Sequence, residues 1–159
     1  RWRFGAAGRH SLQRRMDMTT DEQASERTTG GCLCGRVRYS FGGSPLLTAI
    51  CHCRNCQRQS GSAFGIVAAV PDSDFVLDGE TRIFDDSSDS GRTVARVFCP
   101  ACGSPILSTI APMPGMVLIK AGTLDDPSGL QPAIEVYCDR ALPFLPALAG
   151  TERHARSNI

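Results

Sequence analysis

The stretch GCLCGRVRYSF, residues 31–41, joins a close pair of cysteines to a short alternating segment. Val37, Tyr39 and Phe41 alternate with polar side chains, which is the pattern of a strand with one buried face. Eight further β-rich runs follow between clusters of Gly, Pro, Asp and Ser, and helical character is limited to a turn or two near residues 55–61. The sequence therefore predicts a mainly β fold of about nine strands.

The composition is typical of a globular protein with one core. The chain has 159 residues, of which 42% are hydrophobic and 21% charged, and this length suffices for one well-buried domain. The formal net charge is +1, but residues 1–16 hold five arginines and no acidic residue, so the remainder is net negative. We therefore expect no nucleic-acid surface of clustered basic residues, and no apolar run is long enough to cross a membrane.

Both ends of the chain are predicted to lie outside the folded unit. We expect a disordered or non-native extension at residues 1–28, a single zinc-stapled domain at residues 29–149 and a frayed tail at residues 150–159. The Arg-rich start leaves open a transit peptide, the alternative being a natural start at Met16 or Met18. Without a signal-peptide pattern, a cytoplasmic location is expected.

Two cysteine pairs predict one closed metal site. Close-spaced cysteines in a chain from a reducing compartment bind metal more often than they form disulfides. Cys99 and Cys102, in FCPACGSP, have the form of a zinc knuckle, in which a tight turn points backbone N–H groups at the sulfurs. Cys32 and Cys34 would project from one face of a strand and complete the tetrahedron. The alternative for this second pair is two ordinary buried thiols.

A third group of cysteines predicts a second, open metal site. The run AICHCRNCQRQSG places Cys51, Cys53 and Cys56 within six residues. A structural zinc takes four protein ligands, whereas a catalytic zinc takes three and keeps one position open. His52 would point to the opposite face of the strand and is a poor ligand. Cys138 is the remaining candidate for a fourth ligand, although a small buried side chain is the expected role of this cysteine.

The open site favours chemistry on a thiol. Three thiolates around Zn²⁺ leave a net negative charge, so the ion suits the capture of a soft thiol better than the activation of water. Arg54 and Arg58 flank the triplet and could bind the carboxylates of a substrate. We therefore predict that Cys51, Cys53 and Cys56 are catalytic and that the two arginines bind substrate.

The three cysteine motifs together resemble a known family. The runs GGCLCGRVRYSF, CHCRNCQRQSGSAFG and RVFCPACGSPI, in this order, are similar to those of glutathione-dependent formaldehyde-activating enzymes and centromere protein V homologues, over about residues 29–148. The resemblance implies a β-tent of several coiled antiparallel sheets. It also implies a structural zinc on the first and last cysteine pairs and a catalytic zinc on the triplet. The implied reaction adds the thiol of glutathione to formaldehyde and is classed as that of a carbon–sulfur lyase.

Three functions remain open at this level. The first is a lyase with two zinc ions per chain that acts on a small thiol, such as glutathione, and an aldehyde. The second is a zinc-stabilised binding module without catalysis. The third is a methionine sulfoxide reductase on a related fold, with Cys138 as nucleophile, because VYCD resembles the reactive-cysteine strand of that family.

Overall fold

The structure, a computed structural model, describes residues 27–88 and 91–157. Within this part the chain forms eleven strands and one α-helix, α1, at Arg54–Ser60. The strands are β1 Arg27–Gly31, β2 Arg38–Gly42, β3 Leu47–Cys51, β4 Gly65–Pro71, β5 Val76–Asp78, β6 Arg82–Ser87, β7 Thr93–Phe98, β8 Pro105–Ile110, β9 Met116–Lys120, β10 Ile134–Val136 and β11 Glu152–Arg153. Short 3-10 helices lie at Asp72–Asp74, Ala121–Thr123 and Cys138–Arg140. The mainly β fold and the single helical segment near residues 55–61 are confirmed.

The strands form two sheets. The small sheet has the order β1-β2-β5, and the large sheet has the order β11-β10-β3-β4-β9-β8-β7-β6. The neighbours are antiparallel, except that β10 runs parallel to both β3 and β11. A parallel neighbour requires a crossover connection rather than a hairpin, and the long segment between β9 and β10 provides it. No helix in the described ranges is long and apolar enough to cross a membrane.

The core lies between the two sheets. The alternating side chains Val37, Tyr39 and Phe41 are buried in one cluster with Val70 and Ile119 of the large sheet. Successive residues of a strand point to opposite faces. The residues next to Val70 and Ile119 in the sequence therefore lie on the other face of the large sheet. That second face forms the wall of the cavity described below.

β1 is a strand that its sequence, RTTGG, does not indicate. Gly30 lies directly opposite Tyr39 in the pairing of β1 with β2. A Cβ at Gly30 would stand 2.3 Å from the ring of Tyr39, so only glycine allows the tyrosine to cross the strand here. The phenol of Tyr39 then reaches the hydroxyl of Thr123, at 2.9 Å.

The carboxyl-terminal residues differ from the predicted frayed tail. β11 pairs with β10, and the backbone N–H of His154 donates to the carbonyl of Glu135 at 2.8 Å. The N–H of Cys138 donates to the carbonyl of His154 at 3.0 Å. The two-residue strand is too short to show an alternating pattern, yet it covers the backbone edge that β10 would otherwise expose.

The predicted amino-terminal extension falls almost wholly outside the described residues, which begin at Arg27. Arg27 and Thr28, assigned to that extension, belong to β1. The guanidinium of Arg27 also donates to the carboxylate of Asp74 at 2.9 Å. The folded unit therefore begins at least two residues earlier than predicted.

β6 is the outer strand of the large sheet. Its apolar residues Ile83 and Phe84 are 62% and 60% exposed. They lie between Arg82 on one side and Asp85 and Asp86 on the other.

Candidate metal centres

Four cysteines from two segments meet in a first cluster. The sulfurs of Cys32, Cys34, Cys99 and Cys102 all lie within 4.8 Å of one another. The Sγ atoms of Cys32 and Cys34 are 3.4 Å apart, and those of Cys34 and Cys99 are 3.8 Å apart. Four thiols in a group of this size match the donor set of a structural zinc site. The two pairs predicted to share an ion are thus brought together.

Cys32 and Cys34 lie in a turn and not on a strand. β1 ends at Gly31 and β2 begins at Arg38, so the pair occupies the connection between them. In this turn the N–H of Cys32 donates to the carbonyl of Val37 at 2.9 Å, and the N–H of Val37 donates to the sulfur of Cys32 at 3.2 Å. The expectation that both sulfurs share one face of a strand is therefore wrong, because a backbone turn converges them instead.

The second half of this cluster is a tight turn, as predicted for a knuckle. The N–H of Gly103 donates to the carbonyl of Cys99 at 2.9 Å, and Gly103 has a φ of 74°, which favours glycine. Hydrogen bonds from the hydroxyl and the backbone N–H of Ser104 lower the pKa of Cys102 to about 5. The Ser104 hydroxyl also accepts a bond from the N–H of Leu33 at 3.1 Å, which ties the two turns together.

Three cysteines form a second cluster at the end of the large sheet. The sulfurs of Cys51, Cys53 and Cys56 lie within 4.8 Å of one another. Cys51 ends β3, and Cys53 caps α1 by accepting the N–H of Cys56 at 3.3 Å. No other described Cys, His, Asp or Glu joins this group. Three thiols without a fourth protein donor fit the donor set of an open zinc site.

The protonation of the triplet is uneven. Hydrogen bonds from the thiols of Cys51 and Cys53 lower the pKa of Cys56 to about 2, and the positive charges of Lys120 and Arg96 act in the same direction. The hydrogen bond to Cys53 raises the pKa of Cys51. Cys56 is therefore the thiol of the triplet that ionises most readily, and the other two thiols donate hydrogen bonds to it. A bound divalent cation would displace the protons of these two thiols.

His52 faces away from the triplet, as predicted. Its Nε2 lies 2.9 Å from Oε2 of Glu135, and both side chains are buried. The other carboxylate oxygen of Glu135 accepts the hydroxyl of Thr151 at 2.7 Å and the N–H of Leu148 at 3.1 Å. Cys51, the last residue of β3, therefore faces the triplet. His52, the next residue, faces the opposite side, where it pairs with Glu135.

Cys138 belongs to the environment of that polar pair. Its sulfur lies 3.5 Å from the carbonyl of Glu135, and its potential ligand atom groups with those of His52 and Glu135 rather than with the triplet. The alternative in which Cys138 closes the second site is therefore not what the fold produces. Cys138 was expected to be a small buried side chain, but it is only partly buried.

A cavity of about 210 Å³ opens next to the triplet. Its wall is the second face of the large sheet, to which neighbouring strands contribute alternate residues: Ala49 and Cys51 of β3, Val67 and Ala69 of β4, and Leu118 and Lys120 of β9. In this arrangement Ala49 lies opposite Val67, and Val67 lies opposite Lys120. The three cysteines of the triplet and Lys120 thus share a cavity whose wall on β3, β4 and β9 is otherwise aliphatic.

The cations of the cavity are not those that the sequence indicated. Arg54 and Arg58 are exposed on α1 and do not line the cavity; their role in substrate binding stays a prediction. Positions i and i+4 share one face of a helix, whereas Cys56, between them, points about 200° away from Arg54. Lys120, Arg92 and Arg96 line the cavity instead.

Arg96 and Lys120 differ in how many hydrogen-bond and ion-pair partners they have. Arg96 donates to Asp86 at 2.7 Å and to Gln59 at 2.7 Å. No carboxylate among the described residues forms an ion pair with Lys120. Burial lowers the pKa of Lys120, against the pull of the Cys56 thiolate, which raises it.

Sequence reasoning also missed Tyr137, which lines the cavity with an unusual backbone. It has a φ of 58° and a ψ of 40°, a left-handed conformation that is rare for a residue other than glycine. Such strain often accompanies functional sites. For Lys120 a signal did exist, because it is the single lysine of the chain and ends the apolar run MVLIK.

Comparisons with known proteins show the family and support the fold. The sequence profile of the family described as glutathione-dependent formaldehyde-activating enzyme matches residues 27–140, a span that contains all seven cysteines of the two clusters. A crystal structure of a Rhodobacter sphaeroides protein is similar in fold, with a TM-score of 0.50 and 21% identity, over 65% of this chain and 91% of that one. No curated protein sequence matches the chain significantly.

Proposed function

Since the chain belongs to the family of glutathione-dependent formaldehyde-activating enzymes, we propose that it is a zinc-dependent carbon–sulfur lyase that acts on the adduct of a small thiol and an aldehyde. One observation carries the proposal: the three sulfurs of Cys51, Cys53 and Cys56 converge at a cavity, with no fourth donor from the described residues. The first cluster, with four sulfurs, would hold the structural ion.

The chemistry follows from the donor set. A zinc ion held by the triplet would favour the ionised form of a substrate thiol. In the forward direction the sulfur attacks the carbonyl carbon, a C–S bond forms, and the π bond of the carbonyl breaks. The proton of the thiol ends on the former carbonyl oxygen, so atoms and electrons balance without a further reactant.

The residues of the chain position the reactants. Lys120 lines the same cavity as Cys51 and Cys56 and is suited to hold the oxygen that gains negative charge. A cation placed where charge develops, inside an apolar site, stabilises the transition state more than it would in water. Arg96 keeps its place through Asp86 and Gln59 and adds positive potential behind Lys120.

The alternatives are weighed by the same geometry. For a sulfoxide reductase with Cys138 as nucleophile, that cysteine would need to face a substrate, yet it does not line the cavity. A zinc-stabilised binding module would share both cysteine clusters with the lyase, and only the ligand exchange at the triplet separates the two functions.

X-ray absorption on the zinc or cobalt protein, with and without glutathione, tests the proposal. We expect the triplet ion to change from three sulfur ligands and one light atom to four sulfurs when the thiol is added. Cys56→Ala should abolish this change, and Cys138→Ala, the matched control, should leave it intact. Four sulfurs before any thiol is added would mean a closed site and would overturn the lyase function.

A further inference from the structure

The wall of the cavity is aliphatic well beyond the triplet. On β3 the side chains that face the cavity run from Cys51 through Ala49 to Leu47. In the register of the sheet, Leu47 lies opposite Ala69, and Ala69 lies opposite Leu118. From the row of Cys51 to the row of Leu47 is four residues, or about 13 Å along the strand. This length is far more than formaldehyde, with one carbon atom, can fill.

Apart from the cysteines and Lys120, the polar side chains that line the cavity lie outside β3, β4 and β9: Asn55, Ser88, Arg92, Thr93, Arg96, Ser108, Tyr137 and Ser157. Arg96 is already bound by Asp86 and Gln59, and the other side chains that β3, β4 and β9 contribute to the cavity are those of Ala, Val and Leu. Glutathione carries two carboxylates, an amine and two peptide groups, which would lose their hydrogen bonds to water against such a wall. The thiol of glutathione can reach the triplet while the rest of the peptide stays toward solvent. The wall itself favours contact with a hydrocarbon group.

We propose that the aldehyde of the reaction is apolar and longer than formaldehyde. This inference rests on the proposed function. The sulfur of the adduct lies at the triplet, its oxygen lies at Lys120, and the hydrocarbon chain of the aldehyde lies along Leu47, Ala69 and Leu118. The reaction remains a balanced addition: the C–S bond forms at the carbonyl carbon, and the thiol proton passes to the carbonyl oxygen.

A series of straight-chain aldehydes with one fixed thiol tests the inference. The zinc-loaded protein is mixed with glutathione and with formaldehyde, acetaldehyde, butanal or hexanal, and the catalysed exchange between adduct and free aldehyde is followed by NMR. We expect kcat/KM to rise about fourfold for each methylene that the wall covers, the equivalent of burying one CH₂ group. An equal or lower kcat/KM for hexanal than for formaldehyde would overturn the inference.

A matched pair of leucine variants locates the effect. Leu118→Asn, on the wall, should lower the hexanal-to-formaldehyde ratio of kcat/KM at least about tenfold, whereas Leu118→Met should keep it. Leu46→Asn is the control, because Leu46 is 70% exposed and does not line this cavity. A ratio unchanged in Leu118→Asn protein that still holds two zinc ions would contradict the assignment of the wall.

Two outcomes separate this inference from its premise. If glutathione changes the triplet ion in the absorption experiment but the aldehyde series is flat, the lyase function stands and only the apolar aldehyde is excluded. If sedimentation shows a dimer that Leu118→Asn converts to a monomer, a second copy of the chain covers the wall, and the inference is likewise overturned.

Discussion

Gly65 lies against Cys56, so that a Cβ on the glycine would stand 3.3 Å from the Cβ of the cysteine and 3.9 Å from its sulfur. Gly65 is also the residue opposite Cys51 in the pairing of β3 with β4. Because Gly65 has no side chain, Cys56, which carries the third sulfur of the triplet, can pack directly against the sheet. The size of the residue at position 65 sets how closely Cys56 can approach the other two cysteines.

Gly65→Ala should therefore weaken metal binding at the triplet. The added methyl group requires a shift of a few tenths of an ångström in Cys56, and disturbances next to a ligand typically cost 10–100-fold in metal affinity. We expect a loss of about tenfold in the affinity for the more labile ion, measured by competition with a chelator. Gly129→Ala, where a Cβ meets nothing within 4 Å, is the matched control. Equal affinities in the two variants would contradict the packing argument.

The two clusters should differ in what their metal does. Cys99 is fully buried in the core cluster, so Cys99→Ser should remove the ion that joins the turns and lower the melting temperature by about 10 °C or more. Cys56→Ser should keep the fold and one tightly held zinc. Elemental analysis and calorimetry on both variants check this. A single ion in the unaltered protein, or a fold that survives Cys99→Ser unchanged, would refute the assignment.

Lys120 should matter for catalysis where the two exposed arginines do not. Lys120→Met removes the cation proposed to hold the substrate oxygen, and we expect kcat/KM for the thiol–aldehyde reaction to fall about 10²-fold. Lys120→Arg should retain part of the activity. The double variant Arg54→Ala/Arg58→Ala should stay within about twofold, because both side chains point to solvent. Comparable losses in the two cases would return the substrate-binding role to α1.

Glu135 should contribute to stability more than any exposed carboxylate. It is 2% exposed and accepts hydrogen bonds from Thr151 and Leu148 in addition to its contact with His52. Glu135→Ala leaves the buried ring of His52 and the partly buried donors of Thr151 and Leu148 without this acceptor, which should cost about 3 kcal/mol. Urea denaturation of the zinc-loaded protein measures the loss, and Glu80→Ala, at an exposed turn, should change stability by less than about 0.5 kcal/mol. Equal effects would show that the buried network adds nothing.

The sequence predicts those features of the fold that depend on local patterns. The nine predicted strands correspond to β2–β10, since each carries alternating or β-branched residues between turn signals. β1 was missed because glycine, which weakens a strand by propensity, is required there by the ring of Tyr39. β11 was missed because two residues carry no period, and its position depends on the edge of β10, which is a property of the assembled sheet.

The residues of the site also separate into those that local sequence patterns predict and those that they do not. The residue type and the spacing of the seven cysteines in the clusters are sufficient to predict them as metal ligands. Lys120 and Arg96 enter the cavity through the register of β9, β8 and β7, which no local pattern fixes. The arginines next to the triplet lie outside the cavity because two residues along a helix reverse the direction of a side chain, and proximity in sequence does not show the phase of α1.

The outer strand β6 has a consequence for the behaviour of the protein in concentrated solution. Exposed Ile83 and Phe84 on an unpaired sheet edge would invite strands of other molecules to add on, a route to fibrous aggregates. The charges of Arg82, Asp85 and Asp86 interrupt that surface. Asp86 also anchors Arg96 behind the cavity, so a single carboxylate serves both solubility and the site. Attempts to improve expression should therefore alter the two apolar residues of this edge and leave Asp86 in place.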